Sequence, residues 1–158
     1  MNRAASHTPL TLPPLVAACM GRLPAYPGAW ILARALNAAL APELPADTRT
    51  ALEGQRLRLR IADMGVAFDF GWRRDRFVAF GTEGASALEI GATLHDLWLL
   101  ARREVDPDTL FFSRRLRLEG DTALGLLVKN TLDGLDHSTL ELLARCLRRA
   151  PARRAAGE

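Results

Sequence analysis

The chain has 158 residues, 49% of them hydrophobic and 25% charged, with a formal net charge of +3. That length supports one domain whose core requires no disulfide or metal staple, and the charge falls well short of a dedicated nucleic-acid binder. Two cysteines, Cys19 and Cys146, lie in apolar helical patterns with no CxxC and no Cys/His spacing suited to zinc, so buried thiols in a reducing compartment are expected.

Residues 1–11 read as a disordered arm. Leu12 to Arg22 reads as a short helix that tolerates Pro13 and Pro14 in its first turn. The apolar run from Leu10 to Met20 is neither a clean secretory signal nor long enough to span a membrane, and a cytoplasmic protein is expected. Pro24 and Pro27 break the pattern. A second helix from Gly28 to Leu40 is apolar on most sides and carries one charge, Arg34. Such a helix is buried, or it touches a membrane or a partner. Residues 42–54 read as a connector with room for one helical turn.

The next stretch alternates with period two. Leu57, Leu59 and Ile61 point one way and Arg56, Arg58 and Arg60 the other, which describes a half-buried strand. Val66, Phe68, Phe70 and Trp72 continue the pattern in a second strand. Arg74–Asp75 supplies a turn, and Arg76 to Phe80 returns as a hairpin. After a loop at 81–86, Ala87 to Ile90 reads as a fourth strand. All these connections are short, so antiparallel pairing is expected.

Thr93 is a helix cap with Asp96 three residues on, and Leu94, Leu97, Trp98 and Ala101 form the apolar stripe that follows. Asp106 opens a short helix containing Leu110, Phe111 and Phe112. Leu116 and Leu118 alternate with Arg115, Arg117 and Glu119 in a fifth strand. Gly120 permits a turn and Asp121 caps another helix, on which Leu124, Leu127, Val128, Thr131 and Leu135 share a face with Leu132 at its edge. A last helix from Ser138 to Arg149 ends in Arg145, Arg148 and Arg149, before a disordered basic tail. The expected class is α+β, a five-stranded, mostly antiparallel sheet with helices packed on one face.

Reactive constellations are missing from this pattern. His7, His95 and His137 are scattered; His95 and His137 each adjoin an aspartate, but adjacent residues on a helix face different directions. Ser113 has no G-x-S-x-G elbow, the cysteines have no neighbouring base, and no P-loop follows the glycines. Capping accounts for Asp106, Asp108 and Asp121. Lys129 is the only lysine, and the arginine rows read as solvated strand faces without the stacking aromatics of a single-strand binder. What remains is an excess of large apolar groups. Phe68, Phe70, Trp72, Phe77, Phe80, Phe111 and Phe112, with the leucines of the Asp121 helix, either form solid core or line a cavity.

The run from Asp106 to Leu135 also carries a resemblance. Its segments Asp106 to Phe112, Arg114 to Leu116, Glu119 to Thr122, Leu124 to Leu126 and Val128 to Asn130 are similar to the sterol-carrier-protein type 2 domain family, in particular its bacterial ubiquinone-biosynthesis accessory branch. The resemblance implies helices enclosing an apolar tunnel over that sheet, no catalytic residue, no cofactor and no metal. It implies a non-enzymatic factor in the oxygen-independent route to ubiquinone. Such a factor binds prenylated quinone precursors or phospholipid and presents them to hydroxylases of the UbiU/UbiV type.

On that basis Phe68, Phe70, Phe111, Phe112, Leu124, Leu127, Val128 and Leu132 are expected to line the cavity. Trp30, Ile31, Arg148 and Arg149 are expected to touch the inner membrane peripherally, or a partner. The expected organisation is a flexible N-terminus with apolar helices over 1–45, a lipid-binding domain over 46–149 and a tail over 150–158. A protein-interaction scaffold or membrane adaptor without lipid cargo is the alternative.

Overall fold

A computed structural model describes the backbone of residues 25–81 and 83–149, and their side chains except at 25–27, 140, 144 and 147–149. The expected helix at 12–22, Cys19, the N-terminal arm and the basic tail lie outside the described residues. In chain order the elements are α1 (Ala25–Ala39), a 3-10 turn (Ala41–Glu43), α2 (Ala46–Leu52), β1 (Arg56–Ile61), β2 (Val66–Arg73), β3 (Arg76–Phe80), β4 (Leu88–Ala92), α3 (Leu94–Ala101), α4 (Pro107–Phe112), β5 (Arg117–Gly120), α5 (Thr122–Gly134) and α6 (His137–Arg149).

The strands form one sheet in the order β3-β2-β1-β4-β5. Register follows the alternation. Leu57 sits opposite Phe70 and Leu88, and Leu59 opposite Phe68 and Ile90, so the apolar side chains share one face. Arg58 sits opposite Asp69 and Glu89 on the other face. At the β2–β3 hairpin Arg74 and Asp75 both have positive φ (51° and 59°), which matches the right-handed twist of the strands.

One pairing departs from expectation. β4 does not return beside β3; it crosses to β1 and pairs with it in parallel, while every other pair is antiparallel. Parallel neighbours ordinarily need a crossover of a dozen or more residues, often a helix. Here the stretch between Phe80 and Leu88 suffices because β4 starts level with the point where β3 stops. That stretch is held against the polar face of the sheet. Arg56 donates through Nη2 to the Gly81 carbonyl, Arg58 Nη2 donates to the Gly84 carbonyl at 3.2 Å, and the Ala87 N–H donates to the Arg56 carbonyl at 2.8 Å.

The same arginines bind Asp69, which is fully buried. Arg56 Nε and Arg58 Nη2 each donate to its Oδ2 at 2.9 Å, and Arg58 Nε donates to Oδ1 at 2.7 Å. Burial works against the Asp69 charge, but the bonds from Arg58 and Arg56 outweigh it and hold its carboxyl below the ordinary aspartate range. The arginine row of β1 is therefore partly a structural clamp and not simply a solvated face. Arg60 pairs with Glu89 farther along the same face.

Helices cover the apolar face. Asn37 on α1 binds the edge strand β3 like a neighbouring strand: its Nδ2 donates to the Phe77 carbonyl at 2.8 Å and its Oδ1 accepts from the Phe77 N–H at 2.6 Å. Gly28 lets the Phe68 ring lie directly against α1, since a Cβ there would sit 2.2 Å from Phe68 Cε1. Side-chain caps start α3, α4 and α5 as expected: Thr93 accepts from the Asp96 N–H, Asp106 from the Thr109 N–H and Asp121 from the Leu124 N–H. Gly120 turns the chain into α5 with φ 123°, where a Cβ would meet the Ala87 carbonyl oxygen at 2.3 Å.

Candidate functional site

A cavity of about 180 Å³ lies between the apolar sheet face and the helices. By comparison, an engineered apolar cavity of about 150 Å³ stays dry and admits benzene. The chain approaches this space repeatedly. Leu32 and Leu36 come from α1, Leu40 and Leu44 flank the 3-10 turn, and Thr48 and Leu52 come from α2. The sheet side supplies Leu57, Leu59, Phe70, Phe77 and Ile90. Leu97, Leu100 and Ala101 enter from α3, Leu116 from the approach to β5, Val128, Thr131 and Leu132 from α5, and Leu143 from α6.

Among the described residues no lining residue is ionisable, and only Thr48 and Thr131 carry a polar side chain. The lining is apolar apart from the two threonines and offers a guest mainly dispersion contact.

Local chemistry places the walls. Arg49 anchors the 3-10 turn to α2, donating through Nε to the Leu44 carbonyl at 3.0 Å and through Nη2 to the Ala41 carbonyl at 3.2 Å. It also stacks over the Trp72 ring, 6.0 Å from its centroid. This sets the pitch at which Leu44, Thr48 and Leu52 look inward. On α3 the buried residues are Asp96 and Leu100. Asp96 is held by an ion pair to Arg115, which fixes the helix so that Leu97, Leu100 and Ala101 turn to the cavity.

Of the side chains expected to line the cavity, Phe70, Val128 and Leu132 do so. Phe68 seats α1 at Gly28, and Leu124 is buried at 6% exposure outside the cavity wall. Leu127 faces an adjoining surface groove. Phe111 and Phe112 point outward, 38% and 78% exposed, with rings edge to face at 5.7 Å. In this six-residue helix Pro107 and Leu110 take the inward positions, one turn apart, which sends the two phenylalanines away from the core. Sequence reasoning missed the row from Leu32 to Leu52, Leu97 and Leu100 of α3, and Leu57, Leu59, Ile90, Leu116 and Leu143. The signal for the first of these was a spacing of four from Leu32 through Leu36, Leu40 and Leu44 to Leu52, with Thr48 in the same row.

Among the expected surface contacts, Trp30 is half exposed and lies under the Arg34 guanidinium at 5.0 Å, and Ile31 is half-buried. Arg148 and Arg149 belong to α6, but their side chains lie outside the description. Among the described residues no His, Cys, Asp and Glu cluster has metal-site geometry, and no helix is long and apolar enough to cross a membrane. Cys146 is a free, half-buried thiol.

Comparison with known proteins places this arrangement. The model of the SCP-2 sterol transfer family matches residues 35–133, which includes the whole sheet and most of the cavity wall. The chain belongs to that family. Proteins named ubiquinone biosynthesis accessory factor UbiT, from Escherichia coli strain K12 and from E. coli O157:H7, are each 39% identical to it over 98 residues. Those residues cover 61% of this chain and 53% of each relative, so the chain spans about half the length of the curated relatives it matches. A solved structure described as UbiJ-SCP2 ubiquinone synthesis protein superimposes with a TM-score of 0.51 at 20% identity, covering 76% of this chain and 95% of that one. That likeness concerns the fold: the five-stranded, mostly antiparallel sheet with helices over it is the architecture of the family.

Proposed function

We propose that this protein is a non-enzymatic lipid-binding accessory factor in ubiquinone biosynthesis. In this reading it serves the oxygen-independent route, binds prenylated quinone precursors or a related lipid, and presents them to partner hydroxylases of the UbiU/UbiV type. It works in the cytoplasm, with peripheral contact to the inner membrane. The observation that carries the reading is the uncharged cavity of about 180 Å³ inside a chain of the SCP-2 family. The 39% identity to the UbiT proteins supports the assignment to ubiquinone biosynthesis.

A prenyl chain gains roughly 0.8 kcal/mol for each methylene it withdraws from water. Ten methylene equivalents give on the order of 8 kcal/mol before the costs of ordering. The space present admits a ring-sized group, so a longer guest must widen the gap between the helices and the sheet or extend out of it. Partial enclosure suits a carrier, since a partner can still reach the guest. The test is organic extraction and mass spectrometry of protein purified from quinone-producing cells. Co-purified prenylphenol or quinone species are expected, and repeated recovery of no lipid would end the reading.

One observation keeps a second role in view. Phe112 and Phe111 project into solvent and Leu126 is 56% exposed. Exposed groups of that size favour a docking role alongside the carrier role, and binding of partner hydroxylases by a variant with a filled cavity would separate the two.

A further inference from the structure

Thr48 is the position at which the cavity-facing row changes chemistry. Spaced by four, Leu32, Leu36, Leu40, Leu44 and Leu52 are all leucine, and Thr48 stands between the last two. It is only 2% exposed. Its N–H donates to Asp47 Oδ1 at 2.9 Å, and among the described residues its hydroxyl has no hydrogen-bond partner. No buried side-chain polar atom is left unsatisfied among those residues, so this hydroxyl keeps access to the open space it borders and is available to a guest. Thr131 on α5 is the other polar lining residue. Its Oγ1 donates to the Leu127 carbonyl at 2.8 Å, which leaves its lone pairs free to accept.

Both threonines also line a surface groove whose remaining walls include Glu43, Asp47 and Asn130. The pair therefore stands at the boundary between an uncharged cavity and a groove that carries two carboxylates and no basic side chain.

We propose that Thr48 and Thr131 form the head-binding end of the cavity, and that they select a neutral, oxygenated head on an apolar tail. The Thr48 hydroxyl donates to a ring carbonyl or methoxy oxygen, and Thr131 Oγ1 accepts from a phenolic O–H. Glu43 and Asp47 disfavour an anionic head at the same place. This rests on the carrier reading above and adds the direction in which the guest lies: tail toward the sheet, ring toward the groove between α2 and α5. A ring held there is within reach of a second protein.

The test uses three probes with one tail length: a prenylated phenol, the prenyl hydrocarbon without a ring oxygen, and the prenyl monophosphate. The wild-type chain is expected to bind the phenol most tightly and the phosphate least. Thr48→Val should weaken phenol binding about five- to tenfold, the range of one neutral hydrogen bond, and leave hydrocarbon binding unchanged. Thr48→Ser should restore it. Since the Thr48 hydroxyl has no partner among the described residues, the urea midpoint of Thr48→Val should be no lower than that of the wild type. Should that variant fail to fold, the wild-type ranking of the three heads and a loss of phenol affinity in Thr131→Val decide the matter. Unchanged phenol affinity in Thr48→Val, or tighter binding of the phosphate than of the phenol, overturns the inference while leaving the carrier reading standing. Binding of none of the three removes the carrier reading and this inference with it.

Discussion

Val128→Phe separates a hollow interior from a solid one by the sign of its effect. Val128 lies on the α5 wall of the cavity, partly buried, with open space in front of it. The substitution adds four carbons to the side chain. Helix propensity hardly changes, since valine and phenylalanine rank close together. In a filled core the added volume would force strain, costing about 1–3 kcal/mol. Here a space of about 180 Å³ stands ready. At roughly 0.8 kcal/mol per buried carbon the gain is about 3 kcal/mol at most. Ordering the larger side chain and imperfect fit reduce it to about 1–2 kcal/mol, the range found for cavity-filling changes.

The apo protein should therefore be more stable by that amount, read as a higher urea midpoint with an unchanged slope. Lipid recovered by extraction should fall to background in the same preparation. Destabilisation by 1 kcal/mol or more with full lipid content would refute the reasoning, because it would show that the guest occupies some other place.

Phe112→Ser should leave lipid content unchanged and shift stability by less than about 0.5 kcal/mol, since the side chain is 78% exposed and outside the cavity; extraction and urea unfolding check both. Gly28→Ala should lower stability by about 1–3 kcal/mol in the same unfolding measurement, because its Cβ would collide with the Phe68 ring and push α1 off the sheet. Asp69→Asn should lower stability at neutral pH by about 1.5–3 kcal/mol, the worth of hydrogen bonds to a charged partner, which urea titration reads directly. Because the folded Asp69 carboxyl is held below its ordinary value of about 3.9, its contribution is complete above that pH and fades as acid protonates the folded form. The wild-type urea midpoint should thus fall below about pH 4, and more steeply than that of Asp69→Asn.

Much of this architecture was legible in the sequence where a local rule decided it. The Leu57–Leu59–Ile61 alternation set the sheet face, and Thr93, Asp106, Asp121 and Gly120 marked helix starts and a turn that the structure keeps. The parallel β1–β4 pair was not legible. A short loop normally returns a strand to its neighbour, and nothing local announces that Arg56 and Arg58 will carry this loop across the sheet instead.

The cavity wall was legible in part. On α5 the helical period was long enough to bring Val128 and Leu132 to the cavity. In α4, six residues contain too little periodicity to say which way Phe111 and Phe112 turn, and aromatic size is a poor guide to direction. The leucines of α1 were ambiguous for another reason. A helix apolar on most sides has no face that its own sequence assigns to the interior. Only the contact with β2 and β3 resolves that Leu32 and Leu36 look in while Trp30 looks out.

The two faces of the sheet divide the physical requirements of a carrier between them. A hollow interior lowers stability, because the side chains around it lack packing partners on one side. A typical domain is held together by only about 5–15 kcal/mol, so the loss matters. The strain cannot be relieved by collapse without losing the binding space, so rigidity has to come from elsewhere. The polar face supplies it. The buried Asp69 clamp joins β2 to β1, the bonds from Arg56 and Arg58 fix the loop that delivers β4, and Arg60 ties β1 to β4 through Glu89. All of these contacts lie on the side of the sheet away from the cavity. A guest that spreads the helices would leave them intact, so the covering layer can yield while the sheet keeps its register. The arginine rows, which look in sequence like surface charge, are on this argument what permits the opposite face to remain unfilled.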